Sequence, residues 1–345
     1  MYRDFGDVLT PAEMRKPVVF EQGCAQVWPD AKLQEFEKRG DAAAGGSNGK
    51  LRIPQHHAHT VQEALDVLEG YRQVANHIGW EFVLRGQSRD YYYPESDKLL
   101  ALPSIMRPHM METYMDFLYS NSTYQAAVEP WLRILNKLEV DTSSVPIRVR
   151  HPVAVGRGNP VVPAILQHYG FPTDHLDATT DPVVALWFAL HASRSDNRGR
   201  ISFKPLVPVP KVRRTKRPRS RDVADVPTVH VVIQPKFSAD NLNESFPLVH
   251  LASLDTLIRV AKRPVCQAGA SLPCTAAYVD GYYEPGEFSL QVRTIYRWPA
   301  AILKLYFSFE ALGRTDVTAA TLFPSDEVLY RSLLDAKVPY LAIYA

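Results

Sequence analysis

Gln167-His168-Tyr169-Gly170-Phe171-Pro172-Thr173-Asp174-His175-Leu176-Asp177-Ala178-Thr179-Thr180-Asp181-Pro182 runs directly into Val183-Val184-Ala185-Leu186-Trp187-Phe188-Ala189-Leu190. Polar and ionisable groups crowd a segment punctuated by Gly and Pro, and an apolar run able to bury them comes at once after it. The residues just before, Val161 to Tyr169, are expected to form a short helix with Pro163 tolerated in its first turn and Gly170 stopping it. Thr179, Thr180 or Asp181 is placed to cap the next helix, with Pro182 at its first position. The segment between is therefore read as a loop anchored at both ends, where binding and catalytic groups tend to be held. Each member also has an ordinary reading: Asp177 and Thr173 bonded to loop amides, His168 a satisfied core histidine.

Upstream, Thr60-Val61-Gln62-Glu63 has the capping-box spacing, and Val61, Ala64, Leu65, Val67 and Leu68 follow at helical intervals. Trp80 to Gly86 reads as a strand ending in Arg85-Gly86. An Arg at a strand end, beside a Gly that leaves the backbone bare, can aim its guanidinium fork at a phosphate or carboxylate. Residues from about Met111 to Leu138 suit a long core-packing helix. Further strands are expected at 199–205, 228–234, 265–272 and 300–306, with closing helices at 308–312 and through Leu333. Strands and helices mix without regular βαβ alternation, which predicts an α+β fold: a mixed, mostly antiparallel sheet core with surrounding helices.

The chain has 345 residues, 46% hydrophobic and 22% charged, in the range of a globular protein with a substantial core. Residues 1–50 read as an N-terminal extension closing on the Ala/Gly/Ser junction Asp41 to Lys50, and 51–345 as the main domain. A basic loop insertion is expected at 205–227, since seven of the eleven residues from Lys211 to Arg221 are basic. That run is either a solvated insertion or a phosphate-contacting arm for a nucleic-acid acceptor. Net charge is only +2. No signal-peptide layout or membrane-length apolar run is read, so a cytoplasmic chain with no membrane contact is expected. Cys24, Cys266 and Cys274 lack metal spacing and are read as plain buried thiols. P-loop, dinucleotide, nucleophile-elbow and HExxH motifs are missing from the sequence, and the histidines lack standard ligand spacing, so no metal is expected.

Several landmarks fall in one order: Leu84-Arg85-Gly86-Gln87, Leu102-Pro103-Ser104-Ile105-Met106-Arg107, Leu166 to Thr173, Leu176-Asp177-Ala178-Thr179, Asp181 to Ala189, and Cys266-Gln267-Ala268-Gly269. In this order the chain resembles the FRG domain family, over about residues 58–335. Leu84 stands where the family has Phe, and Ala178 where it has Trp beside the pocket. A Phe that the family tends to place soon after Gly269 is missing.

FRG-like proteins are distantly similar to ADP-ribosyltransferases that use NAD, and they recur in bacterial and phage conflict. The resemblance therefore implies an NAD-consuming toxin or antiphage effector with NAD as substrate, and a phage protein trigger or an antitoxin as partner. By the same resemblance Arg85, helped by Arg107, grips phosphate or ribose. Tyr169 or Tyr92 stacks on nicotinamide, and Gln267 takes the ribose-binding position. Gln87, Ser104, His168, Thr173 and Thr179 are expected to line the pocket. A Gln at position 267 offers a dipole rather than a charge, so either Asp177 serves catalysis or the site binds without reacting. The second class of function is thus a non-catalytic sensor of a nucleotide or phage component.

Overall fold

The computed structural model describes residues 55–77, 79–88, 121–142, 161–173, 175–196, 200–206, 226–235, 248–273 and 300–344, with four short strand segments at 18–21, 24–27, 92–93 and 96–99. Those segments form two hairpins: β1 (Val18–Glu21) with β2 (Cys24–Val27), and β5 (Tyr92–Tyr93) with β6 (Ser96–Leu99). The centre is a seven-stranded sheet that includes β3 (Gln55–Ala58), β4 (Trp80–Gln87) and β7 (His175–Thr179). The others are β10 (Thr228–Pro235), β11 (Val249–His250), β12 (Gly269–Pro273) and β13 (Ala300–Leu305). Their order is β11-β12-β7-β4-β10-β13-β3, antiparallel except where β13 meets β3. A smaller sheet orders β14 (Ile343–Tyr344), β9 (Arg200–Pro205) and β8 (His191–Ser195). The fold is α+β, as the mixed pattern predicted.

Helices cover one face. In α1 (Val61–His77), Thr60 and Glu63 close the expected capping box: Glu63 N–H donates to Thr60 Oγ1 at 3.2 Å, and Thr60 N–H to Glu63 Oε2 at 3.3 Å. α2 (Asn121–Lys137) buries Tyr124, Val128, Trp131 and Leu135, one stripe at helical spacing. α3 (Val161–His168) and α4 (Pro182–Leu190) flank the opening stretch. Among its three candidate caps the structure selects Asp181, whose Oδ1 accepts from Val183 N–H at 2.7 Å, with Pro182 in the first turn. The short helices α5 (Asp255–Ile258), α6 (Arg263–Cys266), α7 (Ala319–Leu322) and α8 (Val328–Asp335) follow later in the chain.

The strand period decides what faces what. Phe82 and Leu84 of β4, with Val229, Val231 and Ile233 of β10, pack against α1 and α4 in the largest core cluster. Gly86 belongs to that face, and α4 lies so close that a Cβ there would sit 2.1 Å from the Ala185 carbonyl oxygen. A second cluster joins α2, α3 and α8. On the opposite face Val83, Leu176, Ala178, Val232, Ala270 and Leu272 form a smaller apolar group.

Three expectations are corrected. The segment after Gly170 is not loop throughout, because His175 to Thr179 is a strand held between β12 and β4. The strand expected over 265–272 begins as α6, whose first amides, those of Lys262 and Arg263, donate to Glu327 Oε2 at 2.8 Å each. Ala268 then takes a left-handed φ of 43° to turn the chain into β12. Cys266 is exposed rather than buried.

Candidate functional site

β4 and β7 are neighbours at the middle of the sheet, joined through the single pair Leu84 and Thr179. Beyond that pair no backbone pairing links the two strands among the described residues, and Arg85 takes over. Its Nη1 donates to the Asp177 carbonyl at 2.6 Å, satisfying an acceptor that a ladder bond would otherwise have taken, and its Nε donates to Gln87 Oε1 at 3.3 Å. Gln87 Nε2 lies 2.9 Å from His230 Nε2. Arg85, Gln87 and His230 thus form a polar row on the face opposite α4, with Arg85 half-buried and the other two buried. Burial first, then the Arg85 charge, push the His230 imidazole down to about 3, so it is neutral at physiological pH.

Register puts the Asp177 side chain on the other face, beneath α3. Its Oδ2 accepts from Gln167 Nε2 at 3.2 Å, and its Oδ1 lies 3.9 Å from His168 Nδ1, too long for a hydrogen bond. Burial works to raise the Asp177 carboxyl, but the His168 ring, the Arg85 charge and the Gln167 amide outweigh it, leaving it below the ordinary carboxylate value. The side chain as a whole is 44% exposed, but its Oδ1 is buried and accepts no hydrogen bond. Arg85 and Asp177 are brought together, but through the aspartate carbonyl rather than as the internal ion pair that their residue types suggest.

The remaining candidates divide. Thr173 Oγ1 donates to Gln167 Oε1 at 2.8 Å, and Thr179 Oγ1 to the Gln267 carbonyl at 2.6 Å. His168 is buried beside Gly269. Gln267 is buried and its Nε2 donates to the Leu322 carbonyl at 2.8 Å, so its amide is engaged inside the fold. Tyr169 is fully buried, and its ring is occupied by Arg263, whose Cζ lies 4.5 Å from the centroid. Ser104, Arg107, the Tyr92 side chain and Lys211 to Arg221 lie outside the described residues.

Sequence reasoning missed three groups. His230 and Gln167 are set by tertiary pairing alone. Arg263 sits in an aromatic box of Tyr169, Phe323, Tyr330 and Tyr344, with its Nε 3.8 Å from Glu327 Oε1 and both side chains fully buried.

Residues 80–198 match the sequence model of the FRG domain. The chain carries an FRG domain. No curated protein and no solved structure gives a significant match. The FRG match covers about a third of the chain and is narrower than the 58–335 span suggested by motif order. Arg85, Gln87, Gln167, Thr173 and Asp177 lie inside it, whereas His230, Arg263, Gln267 and Glu327 lie beyond. The FRG signature therefore marks the β4–β7 junction and the helix on its far side. Among the described residues no group of three or more His, Cys, Asp or Glu could hold a metal, and no helix is long and apolar enough to cross a membrane.

Proposed function

We propose that the FRG domain binds an NAD-type dinucleotide where β4 and β7 part, and cleaves its glycosidic bond as ADP-ribosyltransferases do. The observation that carries the reading is the half-buried Arg85 guanidinium, held by the Asp177 carbonyl and the Gln87 amide where β4 and β7 stop pairing. A guanidinium pre-oriented in that way loses little freedom on gripping a phosphate or ribose. Cleavage builds positive charge on the ribose, and a fixed anion stabilises it far better than an amide dipole. Asp177, held below the ordinary carboxylate range and partly exposed, fits that task; Gln267, bonded to Leu322, does not. The acceptor of ADP-ribose would be a nucleic acid if Lys211 to Arg221 contact it, within a toxin or antiphage role.

A second reading, a sensor that binds a nucleotide or a phage component without turnover, is favoured by one arrangement: the Arg85 side chain and the Asp177 carboxylate project to opposite faces of the sheet. Nicotinamide release from NAD by the purified chain separates the two. The transferase reading expects release that is lost in both Arg85→Ala and Asp177→Asn. NAD binding without turnover, with or without cell extract, would sink it and leave the sensor.

A further inference from the structure

The hydrogen bonds beneath Asp177 run in one direction, and that direction follows from chemistry. The His175 backbone N–H can only donate, and it donates to Thr173 Oγ1 at 3.2 Å. The threonine hydroxyl in turn donates its proton to Gln167 Oε1 at 2.8 Å. With its carbonyl oxygen so taken, Gln167 turns its NH2 toward Asp177 and donates to Oδ2 at 3.2 Å. Thr173 is fully buried and Gln167 8% exposed, so water does not readily substitute in either bond. We propose that Thr173 and Gln167 are positioning residues, a one-way relay that fixes the Asp177 carboxylate in orientation and holds it as a hydrogen-bond acceptor. Neither side chain need touch ligand; both act through Asp177.

The inference rests on the reading of Asp177 as the charged group of the site, but its geometry stands apart from the identity of the ligand. Other groups that act on Asp177 are His168 from α3, His175 from its own strand, Tyr344 from β14, and Arg85 of β4, which reaches it only through its carbonyl from the opposite face. None of them holds the Gln167 amide in place; the Thr173 hydroxyl anchors its oxygen while the acceptor-only carboxylate takes its NH2. An isosteric change at Thr173, two hydrogen bonds away from the carboxylate, must therefore be felt at Asp177.

The test is the Asp177 titration midpoint, followed by NMR in the full chain carrying carboxyl-13C aspartate and assigned by its loss in Asp177→Asn. Thr173→Val removes the donor to Gln167 Oε1 and lets the amide swing away from Oδ2, weakening that bond and raising the midpoint. Thr173→Ser restores the hydroxyl and the wild-type value. Gln167→Met removes the last donor directly, raises the midpoint at least as far, and serves if Thr173→Val does not fold. Equal midpoints in wild type, Thr173→Val and Gln167→Met overturn the relay. If the midpoint moves while wild type releases no nicotinamide, the relay stands and the dinucleotide reading falls. If wild type turns over NAD while the midpoint stays put, the relay falls and that reading survives.

Discussion

Gly86→Ala is the sharpest test of how β4 meets α4. The glycine is not needed for backbone conformation, since it is not among the positive-φ glycines and lies in regular antiparallel pairing opposite Val229. It is needed for room. An alanine Cβ would stand 2.1 Å from the Ala185 carbonyl oxygen, 2.7 Å from Ala189 N and 2.9 Å from Phe188 Cβ. A carbon ordinarily comes no nearer a carbonyl oxygen than about 3.3 Å, so the methyl is short of space by roughly 1.2 Å against backbone that cannot rotate away. Relief requires lifting α4, whose Val184, Ala185, Leu186, Trp187, Ala189 and Leu190 are buried. Overpacking of a core commonly costs about 1–3 kcal/mol, and three simultaneous contacts place Gly86→Ala at or above about 3 kcal/mol. Urea denaturation followed by tryptophan fluorescence, which reports on buried Trp187, measures the loss. A variant within about 0.5 kcal/mol of wild type, with unchanged denaturant dependence, would refute the close-approach argument.

Acid should unfold the protein early. His175 and His230 are buried and held near 3, chiefly by desolvation, whereas an unfolded histidine titrates near 6.5. Their folded values lie below the unfolded one, so the stability they confer is complete above about pH 6.5 and falls as pH drops toward 3. At pH 5 each would cost about 2 kcal/mol, and urea midpoints from pH 7 to 4 should show His230→Gln taking up about one proton fewer on unfolding than wild type. Glu327→Gln leaves the Arg263 guanidinium charged and unpaired in its aromatic box, and should cost about 3–5 kcal/mol in the same assay. Adding Arg263→Met should recover part of that loss. Asp181→Ala removes the acceptor for the first amides of α4 and should cost about 1 kcal/mol, measured as a lowered thermal midpoint with native secondary structure by circular dichroism.

Local signals carried much of the fold. The capping box at Thr60, the Asp181-Pro182 helix start, and the strands expected at β9, β10 and β13 each rest on a few adjacent residues, and all are present. His175-Leu176-Asp177-Ala178-Thr179 alternates polar and apolar residues, yet its Gly and Pro neighbours outweighed so short a period; only pairing with β12 and β4 makes it a strand. The turn at Ala268 was illegible because Glu327, some sixty residues later, fixes α6. At the site, Arg85-Gly86 was legible from chemistry. The commitment of Gln267 to Leu322 and the capture of Tyr169 by Arg263 were not, since both depend on segments distant in sequence.

The order of strands also has a consequence for biosynthesis. Within the FRG match, β4 and β7 lie side by side, but the strands that pair with their outer edges, β10 and β12, come from beyond residue 198. On the ribosome the outer edge of β4 must wait for residue 235, and that of β7 for residue 273, to be made and to clear the exit tunnel, a delay on the order of 10 s. Exposed strand edges invite pairing with other chains. The stretch that identifies the family is therefore not one that can be born folded, and its expression without β10 and β12 should yield aggregate rather than a minimal domain.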